Sequence, residues 1–247
     1  DESESRGLGD VYKRQLRLNP PEITEEINII VSTWPSSRWL SERISVINDI
    51  NALVKYPFPG TYFRRLVKRI IGIDPNENDP WEKNHLVWDI LELLPELMKE
   101  DESGTIRSWI KISEKKNEQI NTNSWDIASN IAEIFDDYIL YRPNIIKQWL
   151  DKNKKIVSKE MNSGKNILWQ EILFNLLYKK INKDPFCIQV EKAIKLLKND
   201  DISKLDYPKN LYIYGLSSLA PLQIDLIQAF SKVCLLYTSD AADDGLS

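Results

Sequence analysis

Ile27-Asn28-Ile29-Ile30-Val31-Ser32-Thr33-Trp34-Pro35 decides the fold class. Four of its first five residues are β-branched, and hydroxyls and a proline follow, the pattern of a short buried strand entering a tight turn. Working outward, Pro35 suits the first turn of a helix in which Trp39, Leu40, Ile44 and Ile47 recur at helical spacing. Ala52–Val54 is a weak second strand, closed by Tyr56-Pro57-Phe58-Pro59-Gly60, where the prolines exclude helix. Thr61–Ile71 then places Phe63, Leu66, Val67, Ile70 and Ile71 on one helical face and Arg64, Arg65, Lys68 and Arg69 on the other, with Gly72 positioned to end the helix.

From Asp79 to about Lys198 the pattern is almost wholly helical. Lys83–Met98 repeats Leu86, Val87, Ile90, Leu91, Leu94 and Leu97, with Pro95 expected to kink or divide it. Trp125–Tyr141 carries Ile127, Ile131, Ile134, Tyr138 and Tyr141 before Arg142-Pro143 stops it. Strand signals return at Leu211-Tyr212-Ile213-Tyr214, followed by Gly215-Leu216-Ser217-Ser218, a helix over Leu219–Phe230 and a last strand over Val233–Leu236. Strand, turn and helix at both ends predict an α/β parallel-sheet domain interrupted by a large all-helical insertion. The expected division is 16–78 and 206–234 for the α/β domain and 79–205 for the insertion. The terminal stretches 1–15 and 235–247, which contain DVYKRQ and LLYTSDAADD, look like translated sequencing-adapter read-through and are set aside as non-native, so that the chain is expected to be a fragment.

The 247 residues are 42% hydrophobic and 28% charged, which excludes a disordered or fibrous chain and is enough to bury a core without disulfide or metal. The longest apolar runs fall far short of the ~20 residues a membrane span needs. No basic leader opens the sequence and two cysteines occur, Cys187 and Cys234, so a reducing cytoplasm is the expected setting. The net charge of −4 opposes gathering of a polyanion by bulk charge. Locally the balance differs. Arg38–Arg69 holds seven cations against two acids, whereas Asp74–Glu102 holds ten acids against two lysines. Nucleic acid, if bound, belongs on the first of these strips.

The motifs of catalysis are incomplete. Ser163-Gly164-Lys165-Asn166 lacks the first glycine and the hydroxyl of a phosphate-binding loop, and Gly215–Ser218, correctly placed between strand and helix, has no lysine. His85, the single histidine, has no companion ligands to complete a metal site. Glu114-Lys115-Lys116 matches the E-x-K half of a metal-dependent nuclease motif, in a polar segment that does not read as a strand. No catalytic centre or metal site is expected in this chain.

Binding constellations are better represented. Trp34 stands in the turn after the first strand with Arg38 one helical turn on, at the sheet edge where α/β proteins bind ligands. Base faces stack on tryptophan and phosphates pair with arginine, so the pair suits a single strand as well as packing beneath a loop. Tyr56 and Phe58 adjoin the cationic helix bearing Arg64. In Glu133-Ile134-Phe135-Asp136-Asp137-Tyr138-Ile139-Leu140-Tyr141-Arg142-Pro143 the acids form a cluster within reach of Arg142. Carboxylates accept hydrogen bonds from base amino groups; an internal ion-pair arrangement is the alternative.

Five ordered motifs carry a resemblance: Ser32-Thr33-Trp34-Pro35-Ser36-Ser37-Arg38-Trp39-Leu40, Tyr56-Pro57-Phe58-Pro59, Leu93-Leu94-Pro95-Glu96-Leu97, Ile134–Pro143, and Tyr214-Gly215-Leu216-Ser217-Ser218-Leu219-Ala220-Pro221-Leu222. Together they span about 27–233, and the chain resembles the amino-terminal part of the RecC family, the gamma subunits of exodeoxyribonuclease V. The resemblance implies a degenerate, helicase-like (P-loop-type) α/β domain that has lost its ATP-binding motifs and carries a helical insertion. It implies a noncatalytic subunit in the bacterial cytoplasm, within a heterotrimer with two motor subunits, the alpha and beta subunits, which would hold the ATP and Mg²⁺. Such a subunit splits the duplex fork, guides the 3′-ended single strand and scans it for a Chi recombination signal during double-strand-break repair. Family channel residues correspond to Trp34, Arg38, Phe58, Arg64, Glu133, Ile134, Asp136, Asp137 and Arg142. Arg64 stands where the family often has an aromatic residue, and Trp34 where small residues are usual. Two other classes remain as alternatives: an autonomous metal-dependent nuclease using Glu114 and Lys116, and a helical assembly module without DNA contact.

Overall fold

The computed structural model describes residues 27–48, 54–100, 104, 108, 120–151, 164–198, 202–216 and 218–239. Four strands run in chain order, β1 (Ile27–Val31), β2 (Val54–Lys55), β3 (Asn210–Tyr214) and β4 (Leu235–Ser239). Among the described residues there are eight helices: α1 (Trp34–Asn48), α2 (Pro59–Ile70), α3 (Lys83–Glu100), α4 (Ile120–Tyr141), α5 (Pro143–Leu150), α6 (Gly164–Ile181), α7 (Phe186–Leu197) and α8 (Pro221–Phe230). The chain divides into two compact units, one made of residues up to Asn76 and from Ala193 onward, the other of Glu77–Lys192.

The first unit is α/β. Its sheet has the order β2-β1-β3-β4 and every neighbouring pair is parallel, with Ile29 opposite Tyr212 and Val31 opposite Tyr214 at the centre. Parallel neighbours require a helix between them, and α1 and α8 supply the connections that the sequence pattern predicted. Ile29, Val31, Leu40, Ile44 and Tyr212 form its core, where the β-branched run of β1 meets the buried stripe of α1. After β1 the chain winds to β2 on one flank; after β3 it winds to β4 on the other. The winding therefore reverses between β1 and β3, and the carboxyl ends of those strands frame the crevice in which open parallel sheets bind ligands.

Local chemistry fixes the helix ends there. Pro59 opens α2, and Gly72, at φ +76°, closes it: Gly72 N–H donates to the Arg69 carbonyl at 3.2 Å and Ile73 N–H to the Lys68 carbonyl at 2.8 Å, a Schellman turn that requires the left-handed residue. Pro221 opens α8, where the Gln223 side chain accepts the Ala220 N–H at 3.0 Å.

The regular structure among the second unit's described residues is all helical. α3 packs against α4 and α6, and α5 against α4 and α6. Phe174 of α6 is the hub: its ring centroid lies 4.9 Å from that of Trp81, 5.4 Å from Phe135 and 5.6 Å from Trp149. Trp81, wholly buried, donates its indole N–H to the Lys183 carbonyl at 2.8 Å. The turn from α6 to α7 is held by Asp184, which accepts the Tyr178 hydroxyl at 2.9 Å, ion-pairs with Lys192, and offers its carbonyl to the Gln189 amide at 2.8 Å. Burial, together with the bond to Asp184, pushes the Tyr178 phenol up from its ordinary pKa.

Four expectations are corrected. Pro95 does not divide α3, which runs on to Glu100; Leu93, Leu94 and Leu97 are buried around it and hold the helix across the missing hydrogen bond. Trp39, expected on the buried stripe with Leu40 and Ile44, is 39% exposed while those two are buried, because it sits at the border of the stripe. Lys68, expected on the solvent face of α2, is buried with Leu66, Val67 and Ile70 of the same helix and engaged by neighbouring groups. The last strand is Leu235–Ser239 rather than Val233–Leu236, since 231–233 form the turn after α8, so that residues of the 235–247 stretch set aside in the sequence are built into the sheet, paired with all five residues of β3.

Candidate nucleic-acid interface

The carboxyl edge of the sheet carries the first group of candidate residues. Thr33 ends the β1 turn, its Oγ1 accepting the Ser36 amide N–H at 3.3 Å, while Ser32 Oγ donates across to the Gly215 carbonyl at 2.9 Å and ties the loop after β1 to the loop after β3. Gly215 holds φ +60°, a conformation only glycine adopts without strain. On the opposite flank, Val31 N–H donates to the Pro57 carbonyl at 3.1 Å, which brings the Tyr56–Pro59 loop against the end of β1. Two loops are thus fastened to one strand end.

Trp34, in the first turn of α1, is 75% exposed, and Phe58, the residue that precedes α2, is 37% exposed. Their rings meet edge to face with centroids 6.0 Å apart and planes at 74°. Large rings held together and left to solvent are unusual in a folded chain and mark a surface built to contact something. Arg38 lies beside them, its Nε 3.3 Å from Glu42 Oε1 with both side chains largely in solvent. A pair so exposed contributes about 0–1 kcal/mol, which a phosphate can readily outbid.

The cationic strip of α2 is narrower than the sequence suggested. Arg64 is half-buried and engaged by neighbouring groups, Lys68 is buried, and Arg69 makes a two-pronged pair with Asp206, Nε to Oδ2 at 2.8 Å, so that Arg65 presents its charge most openly. That contact holds the Asp206 carboxyl below its ordinary pKa. Arg64 therefore does not project freely from α2.

The second group lies in the helical unit. Glu133, Ile134 and Asp137 stand on the exposed face of α4, with Asp136 half-buried and engaged by its surroundings. Glu133 does not join an isolated acid cluster: Lys83 of α3 approaches it with Nζ to Oε2 at 2.6 Å and lowers its pKa through that hydrogen bond and charge. Arg142, expected to reach the acids, instead lays its guanidinium 5.4 Å from the Tyr138 ring centroid, at the residue that precedes α5. The arrangement is an exposed strip of carboxylates with one isoleucine and one ring-backed arginine, able to accept hydrogen bonds from base edges but repelling phosphate.

Among the described residues no group of histidine, cysteine and carboxylate side chains is placed to hold a metal ion, and no helix is long and apolar enough to cross a membrane. His85 is exposed on the first turn of α3. Glu114 and Lys116, the nuclease-like pair, lie outside the described residues. Sequence reasoning missed three participants. Lys83 carried no signal, since a lysine at a helix start is ordinary. Trp39 and Tyr214 were assigned to a core stripe and a strand, yet they stack on one another at the same sheet edge, with centroids 5.9 Å apart and planes at 14°.

A parallel α/β unit interrupted by a helical unit in one chain defines an α/β protein with a helical insertion. Residues 7–238 match the family model described as the N-terminal domain of RecC, and the chain belongs to that family. Among curated relatives it is 22% identical to the RecBCD enzyme subunit RecC of Haemophilus influenzae over 252 residues, covering 91% of this chain and 22% of that protein. It is 24% identical to the subunit RecC of Escherichia coli K12, covering 90% of this chain and 19% of that protein, and 28% identical to that of Buchnera aphidicola subsp. Acyrthosiphon pisum, covering 81% and 18%. The chain spans about a fifth of the length of the curated relatives it matches.

Proposed function

We propose that the chain is the strand-guiding, noncatalytic amino-terminal part of a RecC-type subunit, working in the bacterial cytoplasm within a RecBCD-like helicase and nuclease. In this role the sheet unit is a helicase-like domain without its fuel site, and it leads unwound single-stranded DNA along its carboxyl edge. The helical unit offers carboxylates to base edges as the strand is scanned for a Chi-type signal. ATP and Mg²⁺ belong to the two motor subunits. The observation that carries this proposal is the exposed Trp34–Phe58 pair with Arg38 beside it, at the carboxyl edge of a parallel sheet. Gly215–Ser218, between β3 and α8, lacks the lysine of a phosphate loop, which agrees with a domain that binds strand rather than nucleotide.

The test replaces Arg38, Arg64 and Arg142 by alanine in the subunit assembled with its motor partners. Each lost phosphate contact lowers the salt slope of single-strand binding by about 0.7. The expected outcome is weaker, less salt-dependent binding and a weakened Chi response with an unchanged circular dichroism spectrum. Unchanged binding and response would count against the proposal.

A further inference from the structure

Resting on that proposed role, we infer that the strand path has a second base-stacking station formed by Trp39, Tyr214 and Arg43, on the flank of α1 opposite the Trp34–Phe58 pair. The sheet order places β2 and β3 on either side of β1, so α1, which follows β1, has the Phe58 loop toward one flank and the end of β3 toward the other. Trp34 meets Phe58 on the first side; Trp39 meets Tyr214 on the second. The two tryptophans are five residues apart on one helix, about 7.5 Å of rise and 140° of turn. A single strand that touches both therefore crosses the amino-terminal turn of α1, where Arg38 stands between the stations.

The second station has the chemistry of a stacking site. Trp39 is 39% exposed although its ring lies nearly parallel to Tyr214, and Arg43 holds its guanidinium 5.6 Å from the Trp39 centroid. Trp39, backed on one face by Tyr214, has its other face to offer to any base, and an arginine over the ring can exchange it for a phosphate as the base arrives. Tyr214 occupies the last position of β3, opposite Val31, so its ring is fixed by the sheet itself. The ligand is the nucleobase and phosphate of single-stranded DNA, read without sequence preference.

The experiment measures binding of the 247-residue chain to a fluorescent twelve-residue oligothymidylate and to a twelve-residue abasic strand of the same charge. W39L is expected to lower oligothymidylate affinity about 5- to 150-fold while leaving abasic-strand affinity unchanged. W39F, which keeps a ring, recovers most of the loss and guards against a folding defect, and Y214L repeats the W39L pattern. R43Q is expected to lower the salt slope by about 0.7 on both strands. Equal losses on both strands, or wild-type affinity in W39L, overturn the second station while the Trp34–Phe58 site stands. No binding of oligothymidylate by the wild-type chain overturns the proposed role and the station together.

Discussion

The two units use the same aromatic residues in opposite ways. In the helical unit Trp81, Phe135, Trp149 and Phe174 are turned inward and join α4, α5 and α6 to the segment that leads into α3. In the sheet unit Trp34, Trp39 and Phe58 are left at an edge beside Arg38 and Arg43. The helical unit has its own exposed pair, Trp88 and Trp125 with centroids 5.0 Å apart, but α3 and α4 carry eight acids against Lys83 and Lys99. An exposed ring suits a nucleic-acid strand only where neighbouring charge attracts phosphate, and that condition is met in one unit and not in the other. Buried and exposed rings thus differ in what surrounds them rather than in residue type.

The contrast breaks most sharply at the hub. Replacing Phe174 by alanine removes the ring that touches Trp81, Phe135 and Trp149, and the expected loss is about 3–5 kcal/mol in urea unfolding. Replacing the edge residue Trp34 by alanine should leave stability within about 0.5 kcal/mol and instead weaken oligothymidylate binding by about 1–3 kcal/mol, measured by fluorescence anisotropy. A large stability loss at Trp34 would make the edge part of the core. Trp81→Phe keeps the ring but strands the Lys183 carbonyl without its donor, and should cost about 1–3 kcal/mol in the same unfolding assay.

The smallest effect concerns pH. Lys83 depresses the Glu133 pKa in the folded chain, so the pair contributes stability that is present above the ordinary carboxylate range and lost as pH falls through the depressed value. Both groups are on the surface, and the expected change in midpoint is small. Lys83→Met should move the Glu133 titration, followed by NMR, back toward the ordinary glutamate value. No movement would show that the pair does not persist in solution.

Much of this organisation was legible because it rests on period. The β-branched run of β1, the 3–4 spacing of Phe63, Leu66, Val67 and Ile70, and the proline and glycine punctuation of α2 each admit one local structure. The exposed Trp34–Phe58 pair was legible in part, since both residues sit in loops after strands. What period does not encode is the third dimension of charge. Arg69 finds Asp206 across 137 positions, Lys83 finds Glu133 across 50, and Lys68 is buried. No spacing rule pairs residues that far apart, so the cationic strip and the acid cluster were both drawn larger than they are. Trp39 was misplaced for a related reason: helical spacing marks a border residue as buried, and its stacking on Tyr214 of the neighbouring strand is a contact that spacing does not encode.

The most direct measurement is ultraviolet cross-linking of the chain to oligothymidylate, with the attached peptides mapped by mass spectrometry. The account predicts adducts at Trp34 and Phe58 that disappear in the Trp34→Ala, Phe58→Ala double variant. Adducts confined to the helical unit, or an unchanged yield from that variant, would contradict it.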